Sequence, residues 1–165
     1  MKRRIGLIMG VLLTLITLTM CDKKEYNIDN VKFELIHSKR IPNNKVTVEI
    51  KKSNSEHVLH LHSEPMQGEQ GWENTRIDTS FTIEIKIFNK ISRDLTNLIN
   101  SDFSKSTDRG FDGTECSIMF EYDNQRKEYN FWTPDYDTEK RGLTEYLKVC
   151  KLIIETAGLK TEGIL

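Results

Sequence analysis

His57, His60 and His62 fall within one stretch of six residues, the arrangement in this chain that comes nearest to metal chemistry. On a strand, residues two apart share a face, so His60 and His62 present two imidazoles side by side. Glu64 continues the same parity and offers a carboxylate, and His37 can join from a neighbouring strand. Such a set would serve a metal-assisted hydrolase. A single His-x-His brings two ligands, however, and a zinc site takes at least three from the protein. The alternative is a solvent-facing strand whose histidines lie opposite an inward Leu59 and Leu61. The reading adopted has no metal and no cofactor.

The carboxylates are less suggestive. Asp108, Asp112 and Glu115 gather around Gly110 and Gly113, and Asp135 and Asp137 precede the last predicted helix. Acid–base catalysis needs carboxylates in unlike environments, one of them desolvated. These sit among glycine, threonine and Arg109, as in solvated turns. Asp108 and Asp112 are four apart, which does not match the calcium loop Asp-x-Asp-x-Asp-Gly. There is no Gly-x-Ser-x-Gly elbow and no glycine-rich phosphate loop. Cys116 and Cys150 fall on apolar stripes, where a thiol is inert unless positive charge lowers its pKa. No catalytic residue is assigned.

A different chemistry is written in Ser63–Ser80, which holds Pro65, Met66, Gly68, Gly71, Trp72 and Arg76 and few core-like residues. An exposed tryptophan beside an arginine is the composition of a binding hot spot. Folded back, Trp72 would instead cover the core. Trp132 has the opposite parity to Tyr129 and Phe131 and so points away from the main core. Trp72, Arg76 and Trp132 are the candidate binding residues.

The N-terminus has its own signature. Lys2, Arg3 and Arg4 lead into an uncharged run from Ile5 to Met20, which stops at Cys21 and is followed by Asp22-Lys23-Lys24-Glu25. A basic start, an apolar middle and an abrupt polar boundary make an export signal. The run is short for a membrane span, which needs about 20 apolar residues. Leu18-Thr19-Met20-Cys21 resembles the processing site of bacterial lipoproteins. Leu18 fits the branched apolar position of that pattern, and Met20 stands where it usually has Gly, Ala or Ser. The resemblance covers residues 1–21 only. It implies a signal peptide over 1–20, a fatty-acylated Cys21 and a location in the cell envelope, tethered by lipid to a membrane.

Processing at Cys21 would leave 145 residues, enough for one domain. It would take three of the 24 basic residues and none of the 25 acidic ones, for a mature charge of −4. That balance argues against nucleic acid, whose binding needs a concentrated basic face. With Cys21 acylated, Cys116 and Cys150 remain, and an exported protein meets oxidising surroundings. They are either a disulfide or two buried thiols.

The elements that must position these residues follow from period. Residues 21–29 read as lipidated cysteine and tether, and 30–165 as one domain. Val31, Phe33 and Leu35 alternate, as do Val46, Val48 and Ile50. Residues 57–62 return as a partner strand. Phe81, Ile83, Ile85 and Ile87 predict a fourth strand. Ile91, Leu95, Leu98 and Ile99 then fall at helical spacing, predicting a short helix over 90–101. Cys116, Ile118 and Phe120 alternate, Asp123-Asn124-Gln125 turns, and Tyr129 and Phe131 return. A longer helix is predicted from Thr138 to Ala157, capped by Asp137 or Thr138 and stopped by Gly158. The expected fold is α+β, an antiparallel sheet of about six strands in the order ββββαββα, with both helices on one face. The expected role is an envelope binding module that grips a protein partner, such as a toxin or hydrolase that it neutralises. A structural part of an envelope complex is the other non-enzymatic reading.

Overall fold

The computed structural model describes residues 26–40, 42–68, 71–107, 109–162 and 164–165. The leader, Cys21, the tether as far as Glu25, and Asp108 lie outside the described residues. The elements are β1 (Ile28–His37), β2 (Lys45–Ser53), β3 (Glu56–Glu64), a 3-10 turn (Glu73–Thr75), β4 (Ile77–Ile83), α1 (Ile85–Ile99), β5 (Thr114–Tyr122), β6 (Gln125–Trp132) and α2 (Thr144–Thr156). The strands form one antiparallel sheet in the order β4-β3-β2-β1-β5-β6. The chain is α+β.

Period two sorts the sheet's faces. Val31, Phe33 and Leu35 of β1 oppose Ile50, Val48 and Val46 of β2 and Phe120, Ile118 and Cys116 of β5, and all are buried. Both helices close over this face: Phe88, Ile91, Leu95 and Leu98 of α1 and Tyr146, Val149, Cys150 and Ile153 of α2 belong to the same core. The other face carries alternating Lys32, Glu34, Thr47, Glu49, His60 and His62 and is half-buried or exposed. β1 begins at Ile28, inside the span expected as tether. Ile28 is buried, and Tyr26 meets Tyr122 edge to face at 5.1 Å.

Three boundaries differ from the sequence reading. The fourth strand stops at Ile83, and Ile85 already opens α1, where it is 57 % exposed. Alternation at Ile85 and Ile87 was fortuitous; the helical stripe starts with Phe88, three before Ile91. The last helix is shorter than expected, 13 residues from Thr144. Residues 138–142 form turns instead. The Thr138 hydroxyl donates to Pro134 O at 2.9 Å, and no side chain caps α2. Its end is as expected: Gly158 has φ 78°, Gly158 N–H donates to Glu155 O and Leu159 N–H to Ile154 O, a Schellman motif. Between β5 and β6, Asp123 and Asn124 both take positive φ, as a two-residue hairpin turn requires.

The turns before α2 wrap around Arg141, which is 2 % exposed. Its Nη1 donates to Thr133 O at 2.8 Å and Tyr136 O at 3.0 Å, and Nη2 donates to Trp132 O at 2.8 Å. One guanidinium thus satisfies three carbonyls at the end of β6 and in the turns that follow it. A buried carbonyl left without a donor costs about 1–3 kcal/mol. Arg141→Met should therefore lower the unfolding free energy by about 3 kcal/mol or more in denaturant titration, with Arg141→Lys intermediate because an ammonium cannot span the three acceptors. A loss below about 1 kcal/mol would show that the segment holds its shape without the guanidinium.

His57 links this core to pH. It is buried and stacked on Phe88 at 3.7 Å between ring centroids. Burial first, then Lys52, lowers its pKa from the usual 6.5. The fold therefore favours the neutral ring. That contribution is complete above the unfolded-state pKa and is lost as pH falls below it, because the unfolded chain takes up the proton first. His37, lowered by burial and then by Arg40, acts in the same sense. Stability measured at pH 8, 6.5 and 5 should fall towards acid, and His57→Gln should flatten the lower part of that profile. An unchanged slope in the variant would remove His57 from the account.

Candidate functional site

Strand parity splits the histidines. His57 and His37 have inward parity, whereas His60 and His62 lie on the uncovered face, so the four do not assemble. His60 and His62 are also engaged separately. The Ser80 hydroxyl lies 2.6 Å from His60 Nδ1. His62 Nε2 lies 3.0 Å from Glu64 Oε1 and its Nδ1 3.3 Å from Asp78 Oδ2. The hydrogen bond to His62 is the main cause lowering the Glu64 carboxyl pKa. These are cross-strand and same-strand neighbours on a flat surface. Among the described residues no three His, Cys, Asp or Glu side chains come together as a metal ion would need.

Cys116 and Cys150 do meet. Both are fully buried free thiols, one from β5 and one from α2. Hydrogen bonding to Cys150, then burial, pushes the Cys116 pKa well up. The Tyr146 hydroxyl donates to Cys116 O at 2.7 Å beside them. A thiol held protonated and shielded from solvent is a poor nucleophile.

The loops at one end of the sheet are different in kind. The connections β1–β2, β3–β4, α1–β5 and β6–α2 all emerge there, opposite the end where the chain enters at Tyr26. Four of the exposed large apolar side chains sit on or beside them: Phe111 at 106 %, Tyr136 at 55 %, Ile36 at 47 % and Trp72 at 39 %. Basic groups accompany them in Lys39, Arg76 and Arg109, all exposed. Trp72 and Arg76 lie on the β4 side, and Trp132 lies on the β6 side. Five strand spacings, about 24 Å, separate the two sides. The three candidate residues therefore do not form one patch; they mark the two ends of a rim.

Trp132 is packed by its neighbours. It has outward parity, opposite Glu115, yet is only half exposed. Gly110 lies so close that a methyl group there would overlap the indole, and one on Gly113 would overlap Thr133 Oγ1 and the indole nitrogen. Tyr136 approaches the same ring at 6.3 Å. Gly113 also has φ 146°, which L side chains rarely adopt. Around this contact Thr133 N–H donates to Thr114 O, Ser38 N–H to Gly113 O, and Gly113 N–H to Ser38 Oγ. Lys39 pairs with Asp112 at 2.8 Å. The loop is fastened on both sides of Phe111, while Phe111 itself touches solvent on all sides. Beside it, a cleft of about 410 Å³ runs between Thr107, Arg109, Glu115, Asn130 and Trp132.

Phe111 and Tyr136 were not singled out from the sequence. The available signal was a phenylalanine between two glycines in a stretch without strand or helix period. Asp135 and Asp137 sit on exposed turns, and Asp137 takes φ 47°. Among the described residues no helix is long and apolar enough to cross a membrane.

Gly113→Ala should destabilise the domain by about 2 kcal/mol or more, since it combines overlap with a disallowed φ. The emission of Trp132, read in a Trp72→Phe background, should shift to the red as the ring leaves its cover. An unshifted spectrum would mean that the indole is held elsewhere. No protein-family model, no curated protein and no solved structure matches this chain.

Proposed function

We propose that this chain is a lipid-anchored envelope protein that binds a protein partner through the loop end of its sheet. The observation that carries the reading is Phe111, a wholly exposed aromatic on a loop otherwise fastened by Lys39–Asp112, Ser38–Gly113 and the Trp132 contact. A free phenylalanine on a loose loop would pay ordering entropy when it binds; one on a fastened loop has lost most of that freedom in advance. Trp72 and Arg76 extend the rim on the β4 side, and Trp132 supports it from beneath. Neutralisation of a toxin or hydrolase is one form such binding can take, and a structural place in an envelope complex is another.

The rim lies at the end of the sheet opposite Tyr26, where the described chain begins. The anchoring itself rests on the leader. Mass spectrometry of the cellular protein should find Cys21 as the acylated first residue, and an intact Met1 without fatty acid would remove the envelope from the reading.

The binding test uses a photoreactive residue at Phe111 or Trp72 in cells producing the full chain, with Asn54 at the opposite end as control. The expected result is a discrete adduct with one envelope protein from the rim positions only. With that partner in hand, Phe111→Ala should weaken binding by about 2 kcal/mol, roughly thirtyfold in Kd. Thermal stability should not change, because Phe111 buries nothing. Equal adducts from Asn54, or none from the rim, would overturn the reading.

A further inference from the structure

The two edges of the sheet are treated differently. β6 carries Arg126, Lys127 and Glu128, and the α1–β5 connection packs Phe103 against its Tyr129 and Phe131, each at 5.1 Å. Charge and cover of this kind keep an edge from pairing with another chain. β4 has neither. Ile77–Ile83 contains no lysine, arginine or proline, and its seven pairs with β3 run without a bulge. Asp78, Thr79, Ser80, Phe81 and Thr82 are all exposed. Phe81 has inward parity, opposite the fully buried Leu59, yet is 38 % exposed because, among the described residues, β4 is the last strand on that side.

We propose that β4 pairs antiparallel with β4 of a second copy of this chain, centred on Ser80. The occupant follows from the strand's own sequence. This register sets Arg76 opposite Glu84 of the second copy, Ile77 opposite Ile83, Asp78 opposite Thr82 and Thr79 opposite Phe81, twice each by symmetry. The inward residues Ile77, Thr79, Phe81 and Ile83 meet their own kind, and Phe81 gains a neighbour on its bare side. Arg76 and Glu84 both have extended backbone, as the pairing needs at its ends.

Neighbouring registers that keep like faces together fare worse. Centring on Phe81 opposes Asp78 with Glu84, a like-charge cost taken twice by symmetry, and leaves Arg76 without a strand partner because α1 begins at Ile85. Centring on Thr79 sets Arg76 against Thr82 and loses the ion pairs. The two-fold axis runs through the sheet, so both helical layers stay on one side and two six-stranded sheets become one of twelve. The entering chains emerge at opposite ends. Both rims stay accessible, at opposite ends of the joined sheet.

Ser80 tests the register directly. Opposed residues of an antiparallel pair lie about 4.5–5.5 Å apart at Cα, inside the span of about 4.4–6.8 Å that a disulfide bridges. Ser80→Cys, in membranes from cells producing the full chain and treated with mild oxidant, should give a covalent dimer on a non-reducing gel. Wild type, which keeps Cys21, Cys116 and Cys150, should not. Thr82→Cys alone should stay monomeric, because two copies of Thr82 would lie about 13 Å apart along the strands. Adding Phe81→Lys to Ser80→Cys should abolish the dimer by placing a charge on the edge. A monomeric Ser80→Cys, equal dimer from Thr82→Cys, or an adduct with a different protein alone would each overturn the proposal.

Discussion

Two helices cannot cover six strands. Strands spaced about 4.8 Å apart make a sheet about 24 Å across between its edge axes, and two packed helices span about 20 Å. The apolar face must therefore be finished by something else at its margins. On the β6 side the chain supplies it, because the connection leaving α1 lays Phe103 over Tyr129 and Phe131. On the β4 side nothing among the described residues corresponds, and Phe81 remains at the boundary of the core. The centre feels none of this: Phe33, Leu35, Ile118 and Leu95 are fully buried.

The same connection that completes the β6 margin goes on to form the Phe111 loop. Cover and rim are one segment, so the demands on it are joined. After Phe103 it turns, passes Gly110 over Trp132 and enters β5 at Thr114, where Thr133 N–H meets Thr114 O. Thr133 in turn is held by Arg141, whose guanidinium reaches the carbonyls of Trp132, Thr133 and Tyr136. A residue seven positions beyond Pro134 is thus linked, through Thr133, to a loop entering the neighbouring strand. A buried side chain can shape an exposed loop by this route, while Phe111, wholly exposed, adds no buried surface to the fold.

Periodicity made much of this legible. Alternation at 31–35, 46–50 and 116–120 identified strands and their inward faces, because a half-buried sheet leaves no other solution for those residues. Parity alone separated His57 from His60 and His62. Local pattern failed where two periods overlap: Ile83, Ile85 and Ile87 read as strand although the helix had begun, and only its stripe from Phe88 onward decides. It also failed for 138–143, where a helix-like composition is overruled by Arg141 gathering carbonyls from three earlier residues. Trp132 shows the limit most clearly. Its outward direction followed from Tyr129 and Phe131, but its cover comes from Gly110 and Gly113, residues whose use lies in what they lack.

The cysteines carry the argument from packing into chemistry. Cys116 and Cys150 reach each other only because α2 lies across β5, and they are sealed there with no exposed surface. Thiol–disulfide exchange needs a thiolate and an open approach. The folded domain provides neither, since burial and the mutual hydrogen bond hold the Cys116 proton in place. Oxidation would thus have to come before α2 docks, or wait for it to lift. The redox state of this pair is set by the order of two events, closure of the core and encounter with an oxidant, and once the core has closed the surroundings have little purchase on it.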